Sequence, residues 1–126
     1  MANKLEISVI SPERLIYSGD ADSITVPGIN GEMGILYNHA PMISELGIGI
    51  LTIMDNNDPI RVVIEGGFIE VKKNQVNILA NGGGRKETIN LSEAEKMLEA
   101  TKELPPSIQK VTQIKKAKTR ILIHND

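Results

Sequence analysis

The chain contains no cysteine and no tryptophan, and only 2% of its 126 residues are aromatic, with Phe68 as the single phenylalanine. The lack of thiols excludes disulfides, thiolate metal sites and a cysteine nucleophile. Single-stranded nucleic acids need aromatic faces on which bases stack, and the net charge of −2 leaves no cationic excess to neutralise phosphates. We therefore expect no nucleic-acid binding, and a core built from Ile, Val, Leu and Met.

Long apolar runs are also missing. No run approaches the roughly 20 residues that span a bilayer, and the first residues enter an alternating pattern without an apolar signal region. A hydrolase site needs convergent acid, base or metal ligands, and the only histidines are His39 and His124. We therefore expect no catalytic residue, metal or cofactor, and membrane association only through a partner.

Apolar and polar residues alternate with a period of two along most of the first 80 residues, which predicts β-strands. The predicted strands are 5–9, 15–17, 23–26, 48–54, 61–64, 68–72 and 75–80. Turn-forming residues at 55–59 and at Lys73–Asn74 predict two hairpins. Such closely spaced strands are typical of an antiparallel β-sandwich of about ten short strands, or of a flattened barrel.

The pattern changes to a helical period after residue 90. Gly82-Gly83-Gly84 predicts a flexible joint, since no Lys-Ser or Lys-Thr follows as in a phosphate loop. Asn90 is a helix cap, Pro105-Pro106 ends the first helix, and a second begins after Ser107. The expected apolar sides are Leu91, Ala94, Leu98 and Thr101 in the first helix and Ile108, Val111, Ile114 and Ile121 in the second. We predict two domains, a β-sandwich at 1–84 and an antiparallel helical hairpin at 85–126.

Charge divides between the two predicted helices. The first is mostly acidic, whereas the second carries Lys115, Lys116, Lys118 and Arg120 and no acid before Asp126. This basic helix is either a solvated face or a docking surface for an acidic partner.

A segment between two strand-like runs carries the most specific pattern. It reads Gly31-Glu32-Met33-Gly34-Ile35-Leu36, then His39-Ala40-Pro41, and Glu65-Gly66-Gly67 follows before the helical tail. In this order and at this length, the chain resembles the epsilon subunit of the rotary F-type ATP synthase. The resemblance extends from Leu5 to Ala80 and more loosely to the carboxyl end.

The resemblance implies a non-catalytic rotor subunit of the central stalk, which links the gamma subunit to the c-ring during ATP synthesis coupled to proton transport. Its glycine-rich loop at 28–41 would press flat on a partner, since glycine accepts backbone angles closed to other residues. Contacts with the c-ring are implied for Gly31, Glu32, Gly34 and His39. Contacts with gamma are implied for Ser11, Ala40, Pro41 and Met42. Alternatively, Glu32 is a solvated carboxylate and His39 a hydrogen-bonded side chain that orients its loop.

The resemblance also implies a regulatory hairpin, whose basic helix would contact the catalytic beta subunit and inhibit ATP hydrolysis. Some family members bind ATP where the first helix opens with Ile-Asp-x-x-Arg-Ala, but here Asn90 and Glu93 replace the Asp and the Arg. A carboxylate repels phosphate, so we expect no nucleotide site. A nucleotide-sensing β-sandwich is the alternative function. The implied location is the cytoplasmic face of a bacterial membrane, or the stromal face of the thylakoid, because residues 116–120 resemble the ending of plastid members.

Overall fold

The computed structural model describes residues 3–125, which form eight β-strands followed by two α-helices. The predicted domain limits at residues 1 and 126 lie outside the described residues. The strands are β1 (Leu5–Ile10), β2 (Leu15–Ala21), β3 (Ser23–Gly28), β4 (Gly31–Leu36), β5 (Met42–Asp55), β6 (Asp58–Lys72), β7 (Gln75–Ala80) and β8 (Gly83–Arg85). The helices are α1 (Leu91–Ala100) and α2 (Ile108–Leu122), with short 3-10 turns at Lys86–Thr88, Thr101–Glu103 and Ile123–Asn125.

The strands form one hydrogen-bonded sheet that folds over into the two layers of a sandwich. Its order is β2-β1-β7-β6-β5-β3-β4, with β8 beside β6. Strands β1 and β7 run parallel, whereas the other pairs are antiparallel. The ladder between β5 and β6 is interrupted at Gly47 and Gly66, and β6 pairs with β8 before this point and with β7 after it. The glycines therefore mark the bend at which β6 passes between layers.

The core between the layers is aliphatic, as the composition predicts. Leu5, Ile7 and Val9 of β1 point inward, and their neighbours point outward. Burying one such side chain contributes roughly 1.5–3 kcal/mol. The other buried members of this core are Ile16, Ala21, Ile24, Val26, Ile35, Leu46, Leu51, Ile53, Val62, Ile64, Ile69, Val71, Val76, Ile78 and Ala80.

Both predicted hairpin turns are confirmed. Asn56 and Asn57 have φ angles of 53° and 64° and join β5 to β6, and Lys73 and Asn74, at 51° and 64°, join β6 to β7. Two successive residues with positive φ define the turn whose twist matches paired strands. Asparagine tolerates this conformation better than most residues, which explains its use at three of the four positions.

The predicted fold class is confirmed, but its strands differ from the expectation. Residues 3–125 contain eight strands where about ten short ones were expected, because the predicted strands at 61–64 and 68–72 are parts of the continuous β6. The segment 28–41 is not a loop, since β4 occupies Gly31–Leu36 and pairs along β3.

The flexible joint predicted at Gly82-Gly83-Gly84 is wrong for its last two glycines. Gly83 and Gly84 belong to β8 and pair with Ile64 and Val63 of β6. A side chain on Gly83 would overlap the Val63 carbonyl oxygen. These glycines therefore permit close approach of two backbones and fix the start of the tail. Strand β8 extends the sheet to Arg85.

The predicted helical hairpin is confirmed, with corrections to the apolar sides of both helices. In α1 the expected apolar residue Leu91 is 38% exposed, and Ala94 is buried. Asn90 caps α1 by accepting a hydrogen bond from the Glu93 amide at 2.9 Å, and Ser107 caps α2 by accepting one from the Lys110 amide at 3.1 Å. Ile108 and Val111 of the expected apolar side are 85% and 66% exposed. Between Ile108 and Asn125, the buried residues lie only in the second half of α2 and just beyond it, at Ala117, Thr119 and Ile123. The sandwich thus covers the base of the hairpin and not its tip.

Candidate functional site

An exposed apolar row crosses the outer face of the layer formed by β2, β1, β7, the second half of β6 and the first half of β5, which we call the first layer. Leu15 pairs with Ile10, Ile10 pairs with Leu79, and Leu79 pairs with Phe68. Ile43 lies diagonally beside Phe68 on β5. We call these five residues the outer-face stripe. Their exposed fractions range from 41% for Ile10 to 73% for Ile43. Contiguous exposed apolar surface is typical of sites that bind a protein, a membrane or a ligand.

Polar residues bound the stripe on the same face. The outward positions next to Leu79 on β7 are Asn77 and Gln75, and those after Phe68 on β6 are Glu70 and Lys72. An apolar centre with a polar rim is the usual organisation of a protein interface.

The four residues assigned to gamma flank the two ends of this stripe. Ser11 directly follows Ile10, is half-buried and is hydrogen-bonded within its own turn to the Arg14 carbonyl. At the other end Ala40, Pro41 and Met42 lead into Ile43, and Pro41 and Met42 line a shallow groove with Val71. The stripe itself was not predicted from the sequence, although Phe68 and Leu79 occupy outward positions in the alternation of their strands, where polar residues are usual.

The residues assigned to the c-ring fall into two groups that the structure keeps apart. Gly31, Glu32 and Gly34 are exposed on β4, an edge strand that pairs with β3 through a tight turn at Ile29–Asn30. His39 follows the opposite end of β4, and the five residues from Glu32 to Leu36 alone span about 14 Å of extended chain, at about 3.4 Å for each of the four steps between them.

His39 lies among the residues assigned to gamma. Its Nδ1 is 2.7 Å from the Ala40 carbonyl oxygen, so this nitrogen donates the hydrogen bond. The preceding Asn38 amide donates to the Asn74 side chain at 2.6 Å, which joins this turn to the β6–β7 turn. The hydrogen bonds favour a role for His39 in orienting the turn that carries Ala40 and Pro41.

The base of the hairpin packs on the outer face of the second layer, which is formed by β4, β3, the second half of β5, the first half of β6 and β8. Ile123 and Ile89 contact Val63 of β6, with Ile50 of β5 partly buried beside them. His124 adds a hydrogen bond from Nε2 to the Ile89 carbonyl. Because Val62 and Ile64 face the sandwich core while Val63 faces the hairpin, this part of β6 is buried on both sides.

A charged pair lies beside this cluster. Arg120 of α2 donates from Nε and Nη2 to the two carboxylate oxygens of Glu65, at 2.6 and 2.8 Å. The Glu65 side chain is 4% exposed and that of Arg120 34% exposed. These hydrogen bonds hold the pKa of Arg120 above its ordinary value, against the opposing effect of burial. Local sequence patterns do not predict this pair, because 55 residues separate its members.

Arg120 therefore differs from the other residues of the predicted basic helix. Lys115 and Lys118 are exposed and Lys116 is half-buried. In this arrangement Lys115 and Lys118 present their charge to the surroundings, whereas the Arg120 guanidinium is bound to Glu65.

Among residues 3–125, no group of three or more His, Asp or Glu side chains is placed to hold a metal ion. No helix in this part of the chain is both long enough and apolar enough to cross a bilayer.

Comparisons with known proteins agree on one family. Residues 4–85 match the family model of the ATP synthase delta/epsilon chain β-sandwich domain. An ATP synthase epsilon chain of Leptospira interrogans is 48% identical over 122 residues, covering 97% of this chain and 96% of that one. A chloroplastic epsilon chain of Tupiella akineta is 44% identical over 105 residues, covering 82% and 81%. A chain of the Euglena gracilis mitochondrial ATP synthase shares the fold, with a TM-score of 0.80 at 22% identity, covering 99% of this chain and 82% of that one.

Proposed function

The chain belongs to the family of ATP synthase delta/epsilon chains, and we infer from this premise that it is a non-catalytic subunit of the central stalk that joins the gamma subunit to the c-ring. The observation that carries this inference is a rigid sandwich with two separate exposed surfaces, the outer-face stripe and the β3–β4 edge. A close-packed sandwich suits the role, because an adaptor under torque must not deform.

The outer-face stripe is the proposed gamma surface, with Ser11, Ala40, Pro41 and Met42 at its ends. Its apolar centre and polar rim support this assignment.

The exposed hairpin of β3 and β4 is the proposed c-ring surface. Gly31, Glu32 and Gly34 lie on its outer strand, and Ile29 at its turn is 53% exposed. Glu32 would pair with a cationic side chain of the ring. His39 is proposed to act indirectly, by holding the turn next to Pro41. The subunit would then be peripheral to the membrane, on the cytoplasmic face in a bacterium or the stromal face in a plastid.

A crosslink tests the c-ring assignment. The natural chain has no cysteine, so Glu32→Cys introduces a single reactive thiol. In the assembled synthase we expect this thiol to form a disulfide with a cysteine placed in a polar loop of the c-subunit. Asp20→Cys, exposed on β2, is the matched control and should not react. Equal crosslinking of both variants, or none at Glu32→Cys, would reject the assignment.

The hairpin is proposed to regulate hydrolysis by presenting Lys115, Lys116 and Lys118 to an acidic segment of the catalytic beta subunit. The exposure of Lys115 and Lys118 supports this role. Because Pro105 and Pro106 interrupt the two helices, extension into one continuous helix is disfavoured and the inhibition should be moderate.

Truncation of the hairpin tests this regulatory role. Deleting residues 91–126 should raise the ATPase activity of the assembled complex by about two- to fivefold, which corresponds to roughly 0.4–1 kcal/mol of released inhibition. The ATPase rate is measured in the inhibited (latent) complex, and again after a detergent has relieved the inhibition. An unchanged latent rate would show that the hairpin does not inhibit.

A further inference from the structure

Glu65 is an unusual residue for the interior of a strand. It is 6% exposed, and its amide donates to the Gly82 carbonyl at 3.0 Å. A Cβ atom added at Gly82 would lie 3.0 Å from Oε1 of Glu65, so the glycine leaves room for the Glu65 carboxylate. A buried carboxylate is costly unless a cation neutralises it, and Arg120 is the cation that reaches both of its oxygens.

The pair joins the sandwich to the hairpin beside an apolar cluster. Val63, Ile89 and Ile123 are the buried members of the apolar cluster between sandwich and hairpin. The tip of the hairpin is not held in this way, since Leu104 is 40% exposed and Ile108 85% exposed. The bidentate pair therefore adds a polar contact to the apolar ones at the base of the hairpin.

We propose that Glu65 and Arg120 form a latch that fixes the hairpin against the sandwich. Displacing α2 would leave the Glu65 carboxylate without its cation, so the docked arrangement is the resting state of the chain. The latch also removes Arg120 from any partner surface until it opens. It acts within the chain itself and does not require the gamma or c-ring contacts.

Hydrogen exchange of the full chain tests the latch. Short helices are marginal once they lose tertiary packing, so opening of the latch exposes the amides of both α1 and α2. We expect Arg120→Gln to accelerate their exchange by about 10- to 100-fold, less than for a fully buried pair because Arg120 is partly solvated. The amides of β1 and β7 serve as the internal reference, and their exchange rates should not change.

Lys118→Gln is the matched control, since it removes one positive charge from an exposed position of the same helix. It should leave exchange at the natural rate. Equal exchange in Arg120→Gln and Lys118→Gln would overturn the proposal, and so would acceleration confined to the last turn of α2.

The double variant Glu65→Gln/Arg120→Gln separates the ion pair from simple packing and covers the case in which Arg120→Gln fails to fold. Removal of both charges leaves no unpaired carboxylate, so exchange in α1 and α2 should return to within about threefold of the natural rate. If α1 and α2 exchange as fast in the double variant as in Arg120→Gln, packing of the Arg120 side chain holds the hairpin and the charge pair does not.

Discussion

Replacing Leu79 with Asp is expected to weaken binding to the gamma subunit by at least about 100-fold, while the fold is retained. Leu79 lies in the middle of the outer-face stripe, between Ile10 and Phe68, and is 57% exposed. In the free chain the new carboxylate faces water and costs little. In the complex it would be buried against an apolar partner without a cation. Calorimetric titration of purified gamma into the chain measures the loss.

Asn77→Asp provides the control for this experiment. Asn77 lies two residues away on the same strand and the same face, at an exposed polar position. The substitution adds the same charge outside the stripe and should change the affinity by less than about threefold. If Asn77→Asp and Leu79→Asp weaken binding equally, long-range charge repulsion and not the stripe determines the affinity. If neither does, gamma binds elsewhere.

Gly67→Ala is expected to lower the free energy of unfolding by at least about 3 kcal/mol. Gly67 has a φ of 133°, and an added Cβ would overlap the Leu79 carbonyl oxygen and lie 2.9 Å from the Ala80 Cα. The substitution therefore strains the backbone at the bend and forces β7 away from β6. Urea unfolding followed by circular dichroism measures the change.

Gly34→Ala is the matched control, because a Cβ at Gly34 meets no atom within 4 Å and the residue has no positive φ. Gly34→Ala should change the free energy of unfolding by no more than about 0.5 kcal/mol. A Gly67→Ala chain as stable as Gly34→Ala would mean that the backbone at the bend relaxes without cost.

Local signals explain how much of the fold the sequence predicts. The Asn56–Asn57 and Lys73–Asn74 turns, the Asn90 cap and the Pro105 stop each depend on a few consecutive residues. All four features are present where the sequence places them. Period-two alternation likewise identifies β1, β3 and β7, because each has one face in the core.

Features that depend on distant residues were not predictable. The parallel pairing of β1 with β7 joins segments about 70 residues apart. Three successive glycines suggest a flexible joint by composition, but the close backbone of β6 makes Gly83 and Gly84 part of a strand. Ile108 follows the helical apolar period and is nevertheless exposed, since the sandwich does not reach the tip of the hairpin.

The candidate surfaces likewise combine residues that the sequence predicts with an arrangement that depends on distant residues. Family resemblance supplied Glu32 and the residues at both ends of the stripe, but not the stripe itself. Phe68 alternates in phase with Glu70 and Lys72, so its outward direction was available from the strand pattern. Recognising the stripe additionally requires the register that places Phe68 beside Leu79.

The most direct test of the central claim is whether the purified chain assembles with the gamma subunit and the c-ring. Size-exclusion chromatography of the three components should move the chain into one complex with gamma at equal stoichiometry, and the free chain should show no ATP hydrolysis. A chain that elutes alone in the presence of both partners, or that turns over ATP by itself, would contradict the assignment as a non-catalytic stalk subunit.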